Sequence, residues 1–209
     1  AAIMAMRDNS KVINSNHFHN AIEKVMMGEK LDRVPNLEEK RRIAIHESGH
    51  ALIGELMFPN SVASVNVASR SNALGYVRQT QQEDIYLYTH EYLKSRISVA
   101  LAGVIAEEIV LKNRSTGGSS DFKHSSEMAK QIIYSGMSEL GIISPEDIPK
   151  DQVHNMISKI LREIENDTKK VLAENKSYLE DMTEMLLDKE TLSGDEIRQL
   201  IANKSSACA

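Results

Sequence analysis

Residues 36–57 read NLEEKRRIAIHESGHALIGELM, and the fold turns on how this stretch is read. Asn36 is a helix-capping residue type, and Glu38 and Glu39 follow it with acidic side chains in the first turn. Nothing breaks the run before Phe58-Pro59-Asn60, so one long helix through Met57 is predicted. Inside it lies His46-Glu47-Ser48-Gly49-His50, the H-E-x-x-H spacing. On a helix, His46 and His50 stand one turn apart on the same face, where both imidazoles reach a single Zn2+. Glu47 is rotated about 100° from that line. From there it can orient and deprotonate a water on the metal without becoming a ligand itself. The alternative is a solvated or mutually hydrogen-bonded histidine pair. Against it stand the apolar flanks Ile43, Ala44, Ile45, Ala51, Leu52 and Ile53, among which two imidazoles and a carboxylate without partners are costly to bury.

The rest of the chain sets the frame. It has 209 residues, 41% hydrophobic and 26% charged, enough for one globular domain with at most a small appendage. A net charge of −5 argues against a protein built to grip nucleic acid. No apolar run approaches the roughly 18 residues of a membrane span, and Ala1–Ser10 lacks a signal-peptide core. A single cysteine, Cys208, excludes an internal disulfide and suits a reducing compartment. Aromatics make up 4% and tryptophan is absent, a palette that favours a helical core.

Along the chain, positions 1–28 read as two short helices, the second capped by Asn16 and carrying Phe18, Ile22, Val25 and Met26. GEKLDRVP then forms a charged, proline-ended linker. Between Val62 and Gln79 the pattern changes to alternation, with Val65 and Val67 followed by Tyr76 and Val77, and predicts two short strands or a hairpin. Thr89 opens a second long helix to about Lys112. The small polar loop NRSTGGSS follows, then helices over 121–137, almost continuously over 153–187, and from Asp195 to about Ala202. The predicted fold is mainly α, with a small β-hairpin or sheet near the active site.

A catalytic zinc usually takes three protein ligands. The compact extension H-x-x-G-x-x-H fails, because residue 53 is Ile and residue 56 is Leu, so the third ligand must come from downstream. The candidates are Glu107 or Glu108 on the second long helix, Asp121 after the Gly-Gly-Ser-Ser loop, and His124. Asp121 reads equally as a helix cap, and one of the glutamates as a partner for a ligating imidazole N–H.

The stretches RRIAIHESGHAL (41–52), ALGYV (73–77), LAGVIAEEIV (101–110), STGGSSDF (115–122), MSELG (137–141) and LLDKETLSGDEI (186–197) occur in the order seen in the peptidase domain of FtsH-type ATP-dependent zinc metalloproteases. The chain resembles that family from about Asn36 to Ile201. The resemblance implies one Zn2+ per chain held by His46, His50 and Asp121, with Glu47 as catalytic base and Glu107 behind a ligand. It implies that Ala73, Leu74, Gly75, Tyr76 and Val77 border the cleft, where an extended substrate adds by main-chain pairing. Ser48, Ala102 and Gly118-Ser119-Ser120 depart from the usual Ala, Gly and Ala-Ser-Asn, all with small residues.

By the same resemblance, residues 1–28 are the end of the helical lid of an AAA ATPase module, 29–35 a linker, 36–203 the peptidase domain and 204–209 a disordered tail. ATP enters only through the ATPase module of a longer parent, since this sequence has no G-x-x-x-x-G-K-[ST]. The implied partners are unfolded polypeptide substrates and further copies in a hexameric ring, with no nucleic acid. The implied parent is membrane-anchored, with this domain on the cytosolic, matrix or stromal side. The rival readings are a catalytically silent ring-forming scaffold and a helical interaction module with a fortuitous H-E-x-x-H.

Overall fold

The computed structural model describes residues 1–27, 35–67, 75–80 and 86–207. Two short helices, α1 (Ala2–Arg7) and α2 (Ser15–Met27), come first. Asn14 caps α2, not Asn16: its Oδ1 accepts from His17 N at 3.0 Å, while His17 Nδ1 accepts from Asn14 N at 3.1 Å. Phe18, Ile22 and Val25 on α2 are exposed. Most of the predicted linker, residues 28–34, lies outside the described residues.

The central helix α3 (Leu37–Met57) starts where the sequence predicts. Asn36 Oδ1 accepts from Glu39 N at 2.9 Å, and the Glu39 carboxylate accepts from Asn36 N at 3.1 Å, a reciprocal capping box. From Ala44 to Glu55 nearly every residue of α3 is buried, so other elements enclose this helix on all sides. Its principal neighbour is α4 (His90–Leu111), capped by Thr89 and ended at Lys112 in a left-handed conformation. The two helices approach unusually closely. A Cβ at Gly49 would lie 2.6 Å from the carbonyl oxygen of Ala102 and 2.7 Å from Ala106 Cβ, so only glycine fits there.

On its other sides α4 packs against α5 (Ser119–Tyr134) and α6 (Lys150–Glu174), and α7 (Lys176–Lys189) packs against α3. Ile45, Leu52, Ile53, Leu93, Ile97, Ile105, Ile132, Leu172, Leu179, Met182 and Leu186 fill the shared core. Burial of each such side chain contributes about 1.5–3 kcal/mol before entropy is counted. The stretch read as almost continuously helical over 153–187 is two helices. Asn175 ends the first by turning its own Nδ2 onto the carbonyl oxygen of Val171 at 2.8 Å, which diverts the chain from the regular ladder.

The sheet holds β1 (Val62–Asn66), β2 (Tyr76–Gln79) and β3 (Thr191–Ser193) in the order β2-β1-β3, antiparallel throughout. Val65 pairs with Val77 on one side and Leu192 on the other. The hairpin is as predicted, but β3 joins it from far along the chain and is too short to show a period of two. Helix α8 (Gly194–Ala207) follows directly, one residue earlier than predicted. It continues into the stretch assigned to a disordered tail, since Ala202 to Ala207 contains no proline or glycine to stop it. Among the described residues, no helix is long and apolar enough to cross a membrane.

Ser193 and Glu196 form the turn into α8. The Glu196 carboxylate accepts from Ser193 N at 2.9 Å and from Lys189 Nζ at 2.6 Å. The Lys189 ammonium and the two Ser193 donors hold Glu196 down at about 2. A depressed carboxyl contributes stability above its unfolded value, and loses it as pH falls through the folded one. Urea midpoints of wild type and Glu196→Gln are therefore expected to differ at pH 7 and converge between about pH 4.5 and 2. A gap as wide at pH 2 as at pH 7 would contradict this reading of the turn.

Candidate metal centre

His46 and His50 project from one face of α3 with their rings edge to face, centroids 4.7 Å apart. Each Nδ1 meets an acceptor. His46 Nδ1 is 2.8 Å from Glu107 Oε1, and His50 Nδ1 is 2.7 Å from the backbone oxygen of Val99. An acceptor at Nδ1 fixes the proton there, so in the neutral rings both Nε2 lone pairs face outward. They face the same point: the two Nε2 atoms are 3.0 Å apart. Asp121 Oδ2 completes a triangle, 3.3 Å from His46 Nε2 and 3.7 Å from His50 Nε2. In four-coordinate zinc with ligand distances of 2.0–2.1 Å, neighbouring donor atoms are about 3.3 Å apart. The three separations bracket that value, and two imidazole nitrogens with one carboxylate are a donor set suited to zinc.

The short polar loop explains how Asp121 arrives. A 3-10 turn, Thr116–Gly118, runs straight into α5, which begins at Ser119 instead of Asp121 and carries the aspartate in its first turn. At Gly118 a Cβ would fall 2.1 Å from Val104 Cγ2, so the glycine lets the loop lie flat on α4 and swing α5 toward the histidines. The other third-ligand candidates go elsewhere. Glu108 pairs outward with Arg114 and Lys169, and His124 is exposed. Glu107, 1% exposed, sits behind His46, where both of its oxygens are engaged.

That network around Glu107 extends beyond the sequence reading. Arg42, one turn before His46 on α3, donates to Glu107 Oε2 at 2.6 Å and to Asn113 Oδ1 at 2.7 Å. Ser115 Oγ donates to Glu107 Oε1 at 3.1 Å. The i, i+4 spacing of Arg42 and His46 is visible in the sequence, but their shared partner is not. The Val99 carbonyl has no sequence signal at all, because every residue offers one. Ser48, where the resemblance implies alanine, is fully buried with Thr183 Oγ1 of α7 3.5 Å from its hydroxyl.

The electrostatics match the geometry. Burial disfavours charge on Glu107, but His46, Arg42 and Ser115 outweigh it and hold the carboxyl below its usual range. Burial likewise opposes charge on Asp121, and the two imidazoles overcome it more strongly still. Burial disfavours a charged His46, yet hydrogen bonds to Asp121 and Glu107 lift it to about 9. Glu47 is pushed up by burial, with His50 and His46 opposing. Three carboxylates gather here with one guanidinium and a His46 ring that keeps its proton to about 9, and a divalent cation bound by the neutral rings would take the place of that proton.

Glu47 is nearly buried beneath the start of β2. A Cβ at Gly75 would lie 2.8 Å from both Glu47 Cγ and Oε1 and 2.7 Å from Ile43 Cγ2, so the strand's backbone rests on this side chain. Of the five residues expected to border the cleft, Gly75, Tyr76 and Val77 are at this edge, while Ala73 and Leu74 lie outside the described residues. β2 is one of the two edge strands of the sheet among the described residues, the other being β3.

A helix bearing H-E-x-x-H, with a carboxylate from a later helix completing a three-atom donor set, is the arrangement of the helical zinc metallopeptidases. The chain belongs to peptidase family M41, whose model matches residues 33–200, and it is an FtsH-type peptidase domain. It is 35% identical over 218 residues to ATP-dependent zinc metalloprotease FtsH 2 of Thermoanaerobacter sp. (strain X514), covering 100% of this chain and 42% of that protein. It is 32% identical over 227 residues to the FtsH of Thermobaculum terrenum, covering 96% of this chain and 34% of the relative. FtsH 3 of Synechocystis sp. is also 32% identical, over 237 residues, with 100% and 38% covered. The chain thus spans well under half the length of these relatives.

Because Glu107 is buried between Arg42 and His46, the three groups should act as a unit. Arg42→Met is expected to cost about 1.5–3 kcal/mol in chemical denaturation. The Arg42→Met/Glu107→Gln pair should cost less than the two singles combined, since neutralising Glu107 removes the charge that Arg42 balances. Strict additivity would contradict the network.

Proposed function

We propose that this domain is a zinc endopeptidase that cleaves unfolded polypeptides at internal bonds, with His46, His50 and Asp121 holding the metal and Glu47 moving the proton. The observation that carries the proposal is the convergence of three donor atoms on one point beside a buried glutamate. When bound, zinc supplies Lewis acidity, lowering the pKa of a water to about 7 and polarising the scissile carbonyl. Glu47, beside the three donor atoms, would accept a proton from the attacking water and deliver it to the leaving amine. Glu107 and the Val99 carbonyl keep the two imidazoles in the Nδ1–H tautomer, and Arg42 keeps Glu107 ionised. The outer edge of β2 pairs with an extended substrate segment, which runs the chain past Glu47.

The wider setting is also part of the proposal, supported by the printed names of relatives that are ATP-dependent zinc metalloproteases. Residues 1–28 end an ATPase module's helical lid, and ATP acts only through that module. The longer protein forms a hexameric ring at a membrane and threads substrate to this site. The silent-scaffold alternative keeps the same fold without the chemistry.

The test is cleavage of dye-labelled casein by wild type and Glu47→Gln, with zinc measured on both. Activity should fall at least about 100-fold in the variant, with zinc retained at about one per chain. Undiminished cleavage by Glu47→Gln would remove Glu47 from the mechanism. Zinc in both proteins and cleavage by neither, even in the longer protein that includes the ATPase, would favour the scaffold.

A further inference from the structure

We propose that Gly103 of α4 is a positioning residue for the metal site, its missing side chain leaving the room in which the His46 and His50 rings bring their Nε2 atoms together. The inference rests on reading His46, His50 and Asp121 as the zinc ligands. A Cβ built at Gly103 would lie 2.5 Å from His50 Nε2, 2.6 Å from His46 Nε2 and 2.7 Å from His46 Cδ2. Non-bonded heavy atoms rest at roughly 3.5 Å or more, so a methyl there would overlap both Nε2 atoms and the Cδ2 edge of His46.

Neither ring can retreat. His46 is held from behind by Glu107 Oε1 and His50 by the Val99 carbonyl, at 2.8 and 2.7 Å. Parting the helices to make room would open the core packed around them, where Leu52, Ile53, Ile97 and Ile105 are fully buried.

Backbone conformation does not explain this glycine. It stands in the middle of α4, and the glycines with positive φ among the described residues are Gly136 and Gly141. Glycine is the poorest helix former apart from proline, so α4 gives up local stability at this position. Its neighbours Ala100, Ala102 and Ala106 all carry buried methyl groups. A methyl is excluded at 103 because of the imidazole nitrogens that face it. The same reasoning separates Gly103 from Gly49, whose nearest neighbours are the backbone and methyl groups of α4.

The experiment uses the 209-residue chain as wild type and Gly103→Ala, and repeats the glycine substitution in a His46→Ala/His50→Ala background. Zinc per chain after dialysis, zinc affinity by titration and the metal-free Tm are measured. Wild type is expected to hold about one zinc. Gly103→Ala should hold less than about a tenth of that, with affinity reduced at least 100-fold, the upper end of what outer-shell changes cost. Its metal-free Tm should fall, whereas in the background without the imidazoles the same substitution should raise Tm through helix propensity alone. If Gly103→Ala fails to fold, its recovery in the histidine-free background carries the same meaning. Full zinc loading of Gly103→Ala at wild-type affinity would overturn the inference and leave the zinc reading intact. An equal loss of Tm in both backgrounds would also overturn it, reducing Gly103 to helix packing. A wild type that binds no zinc would overturn the zinc reading and this inference together.

Discussion

The close approach of α3 and α4 is the constraint on which the rest depends. At Gly49 the two backbones come so near that even a Cβ would collide, and this brings the α3 histidines against the α4 side chains and carbonyls that hold them. With the helices farther apart, Glu107 would not reach His46 Nδ1, nor the Val99 carbonyl His50 Nδ1, and the tautomers that point both Nε2 atoms inward would no longer be specified. Core packing supplies the force that keeps the pair together. Leu52, Ile53, Ile97 and Ile105 are fully buried around the helices, and α5, α6 and α7 enclose them. The site is therefore built on rigid elements, with one short loop delivering the third donor.

Charge is the second constraint. Glu47, Glu107 and Asp121 are gathered with one compensating guanidinium, Arg42, in a region mostly removed from water. Such a cluster is expensive in isolation. The burial that penalises it would also strengthen the attraction for a dication bound between the two lone pairs. The carboxylates have separate roles set by their surroundings. Glu107 is tied at both oxygens and serves as an anchor, Asp121 points at the imidazoles, and Glu47 lies under the backbone of Gly75 at the edge of the sheet.

The parts of this arrangement that are local in sequence were legible there. The helix cap at Asn36, the one-turn spacing of His46 and His50 and the flexible loop before Asp121 all follow from short-range rules. Composition and spacing alone could not choose among Glu107, Glu108, Asp121 and His124. That choice depends on which side of α4 each residue occupies and where α5 lands after Gly118, both set by tertiary packing. β3 was hidden because three residues carry no periodicity and their partner strand is more than a hundred residues away. The break at Asn175 was hidden because the apolar pattern continues across it, although the residue's side chain is what ends the helix. Val99 and Gly103 contribute a carbonyl and an absence, and neither is a motif.

The central claim is that one ion sits between α3 and α5, held by His46, His50 and Asp121. Its most direct test is a crystal structure of the zinc-loaded chain with diffraction recorded on both sides of the zinc absorption edge. The account predicts a single strong anomalous peak about 2.0–2.2 Å from the Nε2 atoms of both histidines and from a carboxylate oxygen of Asp121, with Glu107 still on His46 Nδ1. A peak coordinated by Glu107 or Glu108 in place of Asp121, or none near the histidines, would contradict it.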